Sequence, residues 1–170
     1  MQGQLFSQDF LLRGIRDTPP YQELRSESFD AFRGALTAIY GPLSTASVVN
    51  EASTEQDVIA PVLIELGWGA DTLPQQNLSG RRREDVPDTL LFASANAKAQ
   101  AQAEPLEARR YRHGIAILEA KKWGRPLDRG DAAEAFDPDA PSSQMLRYLS
   151  RAEVVSDRAV KWGLLTSSAA

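Results

Sequence analysis

The spacing of apolar residues follows a helical period in the first part of the chain. Between Phe29 and Leu43 apolar residues recur at steps of three and four, which predicts an amphipathic helix that Gly41-Pro42 stops or kinks. A shorter helix is predicted over Leu5 to Ile15, where the following Pro19-Pro20 marks its end. The N-terminal part of the chain is therefore predicted to be helical.

A third helix is predicted to begin after Ser53-Thr54 and to run to Leu66. Ser53 and Gln56 have the spacing of a capping box, which is a common helix start. Pro61 lies inside this helix and is expected to bend it, because proline removes one backbone hydrogen bond.

Beyond residue 70 apolar and polar residues alternate in the way typical of β-strands. A weak strand, two stronger strands, a helix and a last strand are predicted over 73–78, 87–92, 114–120, 142–154 and 160–166. Residues 94–112 are rich in Ala, Gln and Glu, and they are predicted to form a solvated helical insertion with almost nothing to bury. Helices and strands in this order indicate a mixed α/β fold.

The composition fits one domain over residues 1–170, with helices over 1–50 and a core over 51–166. The sequence is 42% hydrophobic and 25% charged, with no cysteine and one histidine. It therefore cannot form disulfides, a thiol nucleophile, or a metal centre of several Cys or His residues. Because no apolar run reaches the ~20 residues of a membrane span and the first residues lack a secretory apolar segment, we expect no membrane partner and a cytoplasmic location.

The net charge of −4 is only a weak argument against a nucleic-acid partner, because it is concentrated in one stretch. Residues 128–141 hold five acidic residues and one arginine, a balance equal to that of the whole chain. The remaining residues are neutral in sum. The overall acidity therefore says little about the surface outside this loop-like stretch.

The strand predicted over 114–120 carries the most chemical information. Side chains of a strand alternate between its faces, so Glu119 and Lys121 share a row with Ile115 and Ile117. Burying a carboxylate in such a row is unfavourable unless it is paired or bound to a cation. A Glu-x-Lys sequence by itself is most often an ion pair at the surface end of a strand.

A second carboxylate changes this interpretation. Asp88 follows Pro87 at the start of an apolar strand and shares a face with Leu90. If this strand pairs with 114–120, Asp88 and Glu119 lie side by side, where two carboxylates repel unless a divalent cation lies between them. Taken alone, Pro-Asp before an apolar run is more often a turn.

Glu55 is a third candidate. It lies four, seven and eleven residues before Ile59, Val62 and Leu66, which places it on the inward face of the third helix. An inward carboxylate in a first turn has two interpretations. It belongs to an active site, or it complements the helix dipole.

Gln144 and Tyr148 form the fourth candidate feature. They are four residues apart, so they make one polar patch on the helix predicted over 142–154. The same helix presents Met145 and Leu149 to the core. Two amphipathic residues at the edge of a core are the alternative interpretation of this pair.

Together these residues resemble the signature of the PD-(D/E)XK nuclease superfamily: Pro87-Asp88, then Glu119-Ala120-Lys121, with Glu55 upstream and Gln144-x-x-x-Tyr148 downstream. The surrounding sequence extends the resemblance, most clearly in Leu66-Gly67-Trp68 and Glu119-Ala120-Lys121-Lys122-Trp123. The pattern is most similar to the amino-terminal endonuclease domain of Type IIG restriction–modification enzymes, and next to Type I restriction subunits. It covers roughly residues 50–166, in the right order.

The resemblance implies a restriction-endonuclease-like fold, in which helices flank a mixed β-sheet. It also implies that Asp88, Glu119 and the backbone carbonyl of Ala120 bind Mg²⁺, for which Mn²⁺ can substitute. Lys121 would position the attacking water and help to deprotonate it, or stabilise charge on the phosphate.

Three more roles follow from the same resemblance. Glu55 would complete the site behind the metal ligands or as the ligand of a second metal. Gln144 would orient the water or a phosphate oxygen, and Tyr148 would support Gln144. The reaction implied is Mg²⁺-dependent hydrolysis of phosphodiester bonds in double-stranded DNA.

Further partners are expected on the same ground. In Type IIG enzymes a methyltransferase and a target-recognition domain are fused to the endonuclease domain. This chain is therefore expected to be a fragment of a longer protein, or a shortened standalone relative of such enzymes. Lys122 and the run Arg81, Arg82 and Arg83 are candidates for contacts to the DNA backbone, although a solvated turn also explains the arginines. Two other functions stay open: a non-cutting DNA-binding or structural module of the same fold, and a repair nuclease or exonuclease of the same superfamily.

Overall fold

The computed structural model of the protein describes residues 7–24, 26–42, 50–79, 84–121, 125–127 and 140–166. The chain divides into two compact units, Met1–Ala38 and Ile39–Ala170. The first unit holds short helical elements: α1 (Gln8–Leu12), a 3-10 turn (Gly14–Asp17), α2 (Pro19–Gln22) and the start of α3 (Ser26–Tyr40). Helix α3 confirms the amphipathic helix that was predicted up to Gly41-Pro42. Pro19 and Pro20 begin a helix instead of only ending one, because the first helical turn tolerates a missing N–H.

The second unit contains the β-sheet and the helices around it. Its elements are α4 (Glu51–Thr54), a π-helical turn (Glu55–Ile59), α5 (Ala60–Glu65), β1 (Thr72–Pro74), β2 (Thr89–Leu91), α6 (Ala95–Ala103), α7 (Glu107–Arg110), a 3-10 turn (Tyr111–His113), β3 (Ala116–Ala120), α8 (Pro141–Val155) and β4 (Trp162–Thr166). Strands β2, β3 and β4 lie inside their predicted ranges and are shorter than them, whereas β1 begins one residue before its predicted range and already ends at Pro74. Within the described ranges no helix is both long and apolar enough to cross a membrane.

Helix α4 begins earlier than the sequence predicted. The side chain of Asn50 accepts a hydrogen bond from the Ser53 backbone N–H at 2.8 Å, so Asn50 is the N-cap and the predicted capping box of Ser53 and Gln56 is wrong. The next turn is widened, because the N–H of Ala60 donates to the carbonyl of Glu55 five residues earlier. Pro61, which follows at once, lacks an N–H, and the wider turn accommodates it.

The widened turn also changes which side chains face the core. The residues buried along this helix are Thr54, Val58, Ile59 and Leu63, whereas Leu66 is exposed. The predicted inward face was therefore only partly correct, since it included Leu66 and omitted Val58. A π-helical turn adds a residue to the helical repeat, so positions beyond it rotate away from where a regular period of 3.6 would place them.

Four strands form one mixed sheet in the order β1-β2-β3-β4. Strand β2 pairs with β1 and with β3 in antiparallel orientation, whereas β3 pairs with β4 in parallel. Helices flank the sheet: α8 and α6 contribute to the core on one face, while the helix over Glu51–Glu65 contributes to the core on the other. The mixed α/β class and the mixed sheet flanked by helices are thus confirmed.

Both faces of β3 are buried. Ile117 packs in the core that contains Met145 of α8, whereas Ala116 and Leu118 pack in the core on the opposite face. The period-2 alternation of a strand produces this division. Glu119 follows two residues after Ile117, so it lies on the face that α8 covers.

The insertion over 94–112 is helical but not merely solvated. Ala101 and Tyr111 are fully buried in the core beneath α8. The phenolic hydroxyl of Tyr111 donates a hydrogen bond to the Gln76 carbonyl at 2.6 Å, which joins the insertion to the loop after β1. The prediction that this segment has almost nothing to bury is wrong, because one large aromatic ring anchors it.

Candidate active site

The strand register brings Asp88 and Glu119 together. In the antiparallel pair of β2 and β3, Thr89 is opposite Leu118. Asp88 directly precedes Thr89, and Glu119 directly follows Leu118, so these two residues are also opposite each other. The backbone N–H of Asp88 donates to Glu119 Oε2 at 3.3 Å, and the N–H of Ala120 donates to Asp88 Oδ2 at 2.7 Å. The two carboxylates are thus fixed by backbone groups, which gives them a defined mutual geometry.

Lys121 lies between two carboxylates. Its Nζ is 2.7 Å from Glu119 Oε1 and 3.5 Å from Glu51 Oε1. The side chains of Glu119 and Lys121 are 5% and 10% exposed, so this ion pair is largely shielded from water. The alternative of a strand-end ion pair at the surface does not describe it.

Glu51 is a residue that the sequence interpretation missed. It lies four residues before Glu55, so the two carboxylates share one face of the helix over Glu51–Glu65. The spacing of two acidic residues at i and i+4, which is unfavourable in an isolated helix, was the signal that could have identified it. Both face the β-strand carboxylates, since the charges of Asp88 and Glu51 contribute to the raised pKa of Glu55.

The electrostatics of the site are those of crowded carboxylates with one lysine. Burial is the main cause that raises the pKa of Asp88, opposed by the Ala120 N–H and by Lys121. Burial also raises the pKa of Glu119, with the charge of Asp88 adding to it and the hydrogen bond from Lys121 opposing it. Burial and neighbouring negative charge also raise the pKa of Glu55. Among the described residues, four carboxyl groups, those of Glu51, Glu55, Asp88 and Glu119, therefore lie around one lysine.

This crowding predicts a gain in stability when one carboxylate is neutralised. In metal-free buffer at pH 7, Asp88→Asn is expected to raise the melting temperature by about 2–4 °C, which corresponds to about 1 kcal/mol for a chain of this size. The amide oxygen of asparagine can still accept the N–H of Ala120. Thermal unfolding followed by circular dichroism measures the change, with the exposed Asp57→Asn as control. A melting temperature equal to or below that of the wild type would show that the carboxylates are not in conflict.

Gln144 and Tyr148 reach the site from α8. Gln144 Nε2 donates a hydrogen bond to the Tyr148 hydroxyl at 2.8 Å. Burial raises the pKa of Tyr148, and the charges of Glu119 and, less strongly, Asp88 contribute to the rise. Tyr148 therefore lies in the field of the carboxylate pair, and Gln144 is bonded to it.

A cleft of about 220 Å³ opens beside Glu55, between the helix over Glu51–Glu65 and the sheet. Its lining includes Thr72, Thr89 and Leu118. Thr89 and Leu118 are the neighbours of Asp88 and Glu119 along their strands. Side chains alternate between the faces of a strand, so the cleft lies beside Glu55 on the face that the helix over Glu51–Glu65 covers, and neither Asp88 nor Glu119 lines it.

The structure brings together most of the candidate residues: Glu55, Asp88, Glu119, Ala120, Lys121, Gln144 and Tyr148. The candidates for DNA contact, Arg81, Arg82, Arg83 and Lys122, lie outside the described residues.

The oxygen atoms that this site could offer to a metal ion are those of the Asp88 and Glu119 carboxylates and of the Ala120 carbonyl. In the part of the chain that the structure describes, no group of three or more His, Asp or Glu side chains is arranged to hold a metal ion. Mg²⁺ needs only one or two protein carboxylates and keeps several waters.

Comparison with family models, with curated proteins and with solved structures finds no match for this chain.

Proposed function

We propose that this chain is a Mg²⁺-dependent endonuclease domain that hydrolyses phosphodiester bonds in double-stranded DNA. The observation that carries the proposal is the pairing of Asp88 with Glu119 at adjoining strand positions, with Lys121 bonded to Glu119. This is the arrangement that the resemblance to PD-(D/E)XK nucleases implies. On this proposal the mixed sheet and its flanking helices have the restriction-endonuclease-like fold.

The residues present fit a divalent cation. Asp88 and Glu119 supply hard oxygen ligands, which Mg²⁺ and Mn²⁺ prefer, and the Ala120 carbonyl is proposed to complete the protein's share. Burial is the main cause that raises the pKa of both carboxyl groups, so a cation bound between them would favour their ionised forms. A bound cation would supply charge neutralisation at the phosphate and acidify a coordinated water.

The chain's own side chains then have separate tasks. Lys121 is held beside Glu119, where its ammonium group can stabilise negative charge that develops on the phosphate or orient the attacking water. Glu55 lies near Asp88, where it can accept a proton from water or hold a second cation. Gln144 orients the water or a phosphate oxygen through its amide, and the hydroxyl of Tyr148 fixes the position of that amide.

Restriction–modification is the biological setting that we propose, on the sequence resemblance to Type IIG and Type I enzymes. In that setting fused methyltransferase and target-recognition domains select the DNA site. The chain described here would then supply hydrolysis and bind DNA weakly by itself.

Nicking of a supercoiled plasmid tests the proposal. The protein, in molar excess over plasmid, is incubated with Mg²⁺, with Mn²⁺ or with EDTA, and Asp88→Asn purified in parallel controls for contaminating nuclease. We expect open-circular product with either metal, none with EDTA, and none from Asp88→Asn. An intact plasmid under every condition would favour the non-cutting module, whereas degradation of linear duplex from its ends alone would favour an exonuclease.

A further inference from the structure

A second charged cluster lies near the carboxylate pair and is centred on Asp85. The side chain of Asp85 is only 2% exposed. Its Oδ1 accepts a hydrogen bond from Arg147 Nε at 3.1 Å, and its Oδ2 pairs with Arg151 Nη1. Arg147 and Arg151 are four residues apart on α8, so they lie one above the other on the same face of the helix.

The contacts with Asp85 do not engage all the charge and hydrogen-bond donors of the two arginines. Their side chains are 45% and 43% exposed, although the carboxylate that holds them is buried. Arg147 contacts Asp85 through Nε and Arg151 through one Nη, so each guanidinium group has further N–H donors beyond those in these contacts. Within the described part of the chain Asp85 is the only carboxylate paired with either arginine, so the cluster keeps one positive charge. If these contacts served only to fix α8 to the loop before β2, one arginine paired with Asp85 would be enough.

The cluster lies close to the carboxylate pair. Asp85 precedes Asp88 by three residues, so their Cα atoms are at most about 11 Å apart. On the helix side, the guanidinium carbon of Arg147 is 5.8 Å from the ring centroid of Tyr148, whose hydroxyl bonds Gln144. The tyrosine ring and the buried carboxylate thus hold Arg147 from two sides.

We propose that Arg147 and Arg151, oriented by Asp85, bind a backbone phosphate of the DNA strand that the carboxylate site cuts. A guanidinium group presents paired N–H donors that match two phosphate oxygens, and orientation by a buried partner reduces the entropy lost on binding. Phosphate contacts of this kind set the register of a protein on DNA without reading its sequence. The cluster therefore positions the strand so that another phosphate of the same backbone reaches Asp88 and Glu119. The part about the cut strand rests on the proposed nuclease function, whereas phosphate binding by the arginine pair does not.

The test is the binding of a fluorescently labelled duplex oligonucleotide, followed by anisotropy in EDTA over about 20–150 mM salt. The double variant Arg147→Gln/Arg151→Gln is compared with Arg109→Gln/Arg158→Gln, which removes the same charge from two exposed arginines outside the cluster. Each lost phosphate contact lowers the slope of log affinity against log salt by about 0.9, so we expect a decrease of about 0.9–1.8 for the first variant. Its affinity at about 50 mM salt is expected to fall tenfold or more, whereas the control stays within twofold of the wild type.

The variant Asp85→Asn distinguishes the effect of arginine orientation on DNA binding from the effect of the protein's overall charge. This change makes the protein more positive by one charge, so general electrostatic attraction predicts tighter DNA binding. An arginine pair that needs Asp85 for its orientation predicts weaker binding instead. Melting temperatures of all variants establish that they are folded, and the double arginine variant carries the test if Asp85→Asn does not fold.

Two results overturn the proposal: equal salt slopes for the cluster and control variants, or no binding of duplex by the wild type at about 20 mM salt. Binding is measured without metal and without cleavage, so the outcome is independent of nuclease activity. A protein that never nicks DNA but shows the expected slopes keeps the phosphate site and loses the nuclease function. A protein that nicks DNA but shows equal salt slopes for the cluster and control variants keeps the nuclease function and loses the phosphate site.

Discussion

Lys121→Met is expected to reduce the initial rate of metal-dependent plasmid nicking roughly 10²–10³-fold, which is the usual effect of removing one preorganised electrostatic group from a transition state. The Nζ of Lys121 is fixed 2.7 Å from Glu119 Oε1 in a site shielded from water. On the proposed function its charge acts at the phosphate without a solvent shell that must first reorganise. Methionine keeps the length of the side chain and removes only the ammonium group. Initial rates at saturating plasmid measure the effect.

Lys161→Met is the matched control, because Lys161 is exposed and its backbone N–H, which the substitution keeps, donates to the Ile115 carbonyl. Its rate is expected to stay within twofold of the wild type. If Lys121→Met kept more than half of the wild-type rate, Lys121 would be an ion pair that serves the fold, and the proposed catalytic role would be wrong. Melting temperatures exclude unfolding as the cause of a loss.

Tyr111→Ala is expected to lower the free energy of unfolding by about 3–5 kcal/mol, the range typical of removing a buried aromatic ring. The ring of Tyr111 is fully buried and packs in the core with Leu90 and Ile117, which belong to the two strands that carry the carboxylates. Urea unfolding at constant pH measures the change. If the segment over 94–112 were only a solvated insertion, the change would stay within about 0.5 kcal/mol.

Tyr111→Phe is the control that keeps the ring and removes the hydroxyl. It is expected to lower stability by about 1–2 kcal/mol at pH 7, because the Gln76 carbonyl loses its donor. Burial raises the pKa of Tyr111 above its ordinary value of 10.0, so the folded state keeps a proton that the unfolded state releases above pH 10. The contribution of the hydroxyl is therefore complete below pH 10 and decreases as the pH rises further. The stability difference between wild type and Tyr111→Phe should narrow from pH 9 to pH 11, and a constant difference would contradict this.

The elements of the sheet were largely predictable from the sequence, because strand alternation is a local signal. Glu119 was predicted to share a row with Ile117, and the structure places both on the face that α8 covers. The adjacency of Asp88 and Glu119 followed from two strands of matching apolar pattern. The structure brings together Gln144 and Tyr148 because i and i+4 positions meet on any helix.

The parts that the sequence did not predict depend on contacts between distant segments. Tyr111 is buried because its ring fills a space between β-strands and α8, and nothing in the polar composition of residues 94–112 indicates that space. The pairing of Asp85 with Arg147 and Arg151 joins positions more than 60 residues apart. The helix over Glu51–Glu65 departed from its predicted face because Pro61 is accommodated by a widened turn, which a regular helical period does not represent.

The central claim is that Asp88 and Glu119 form a binding site for a divalent cation. Calorimetric titration of Mn²⁺ into the metal-free protein tests it most directly, without DNA and with Asp88→Asn as the comparison. The account predicts one Mn²⁺ bound per wild-type chain, with an affinity at least tenfold lower in Asp88→Asn, since one of two protein carboxylates is lost. Equal heats from the two proteins, or no binding by the wild type, would contradict it.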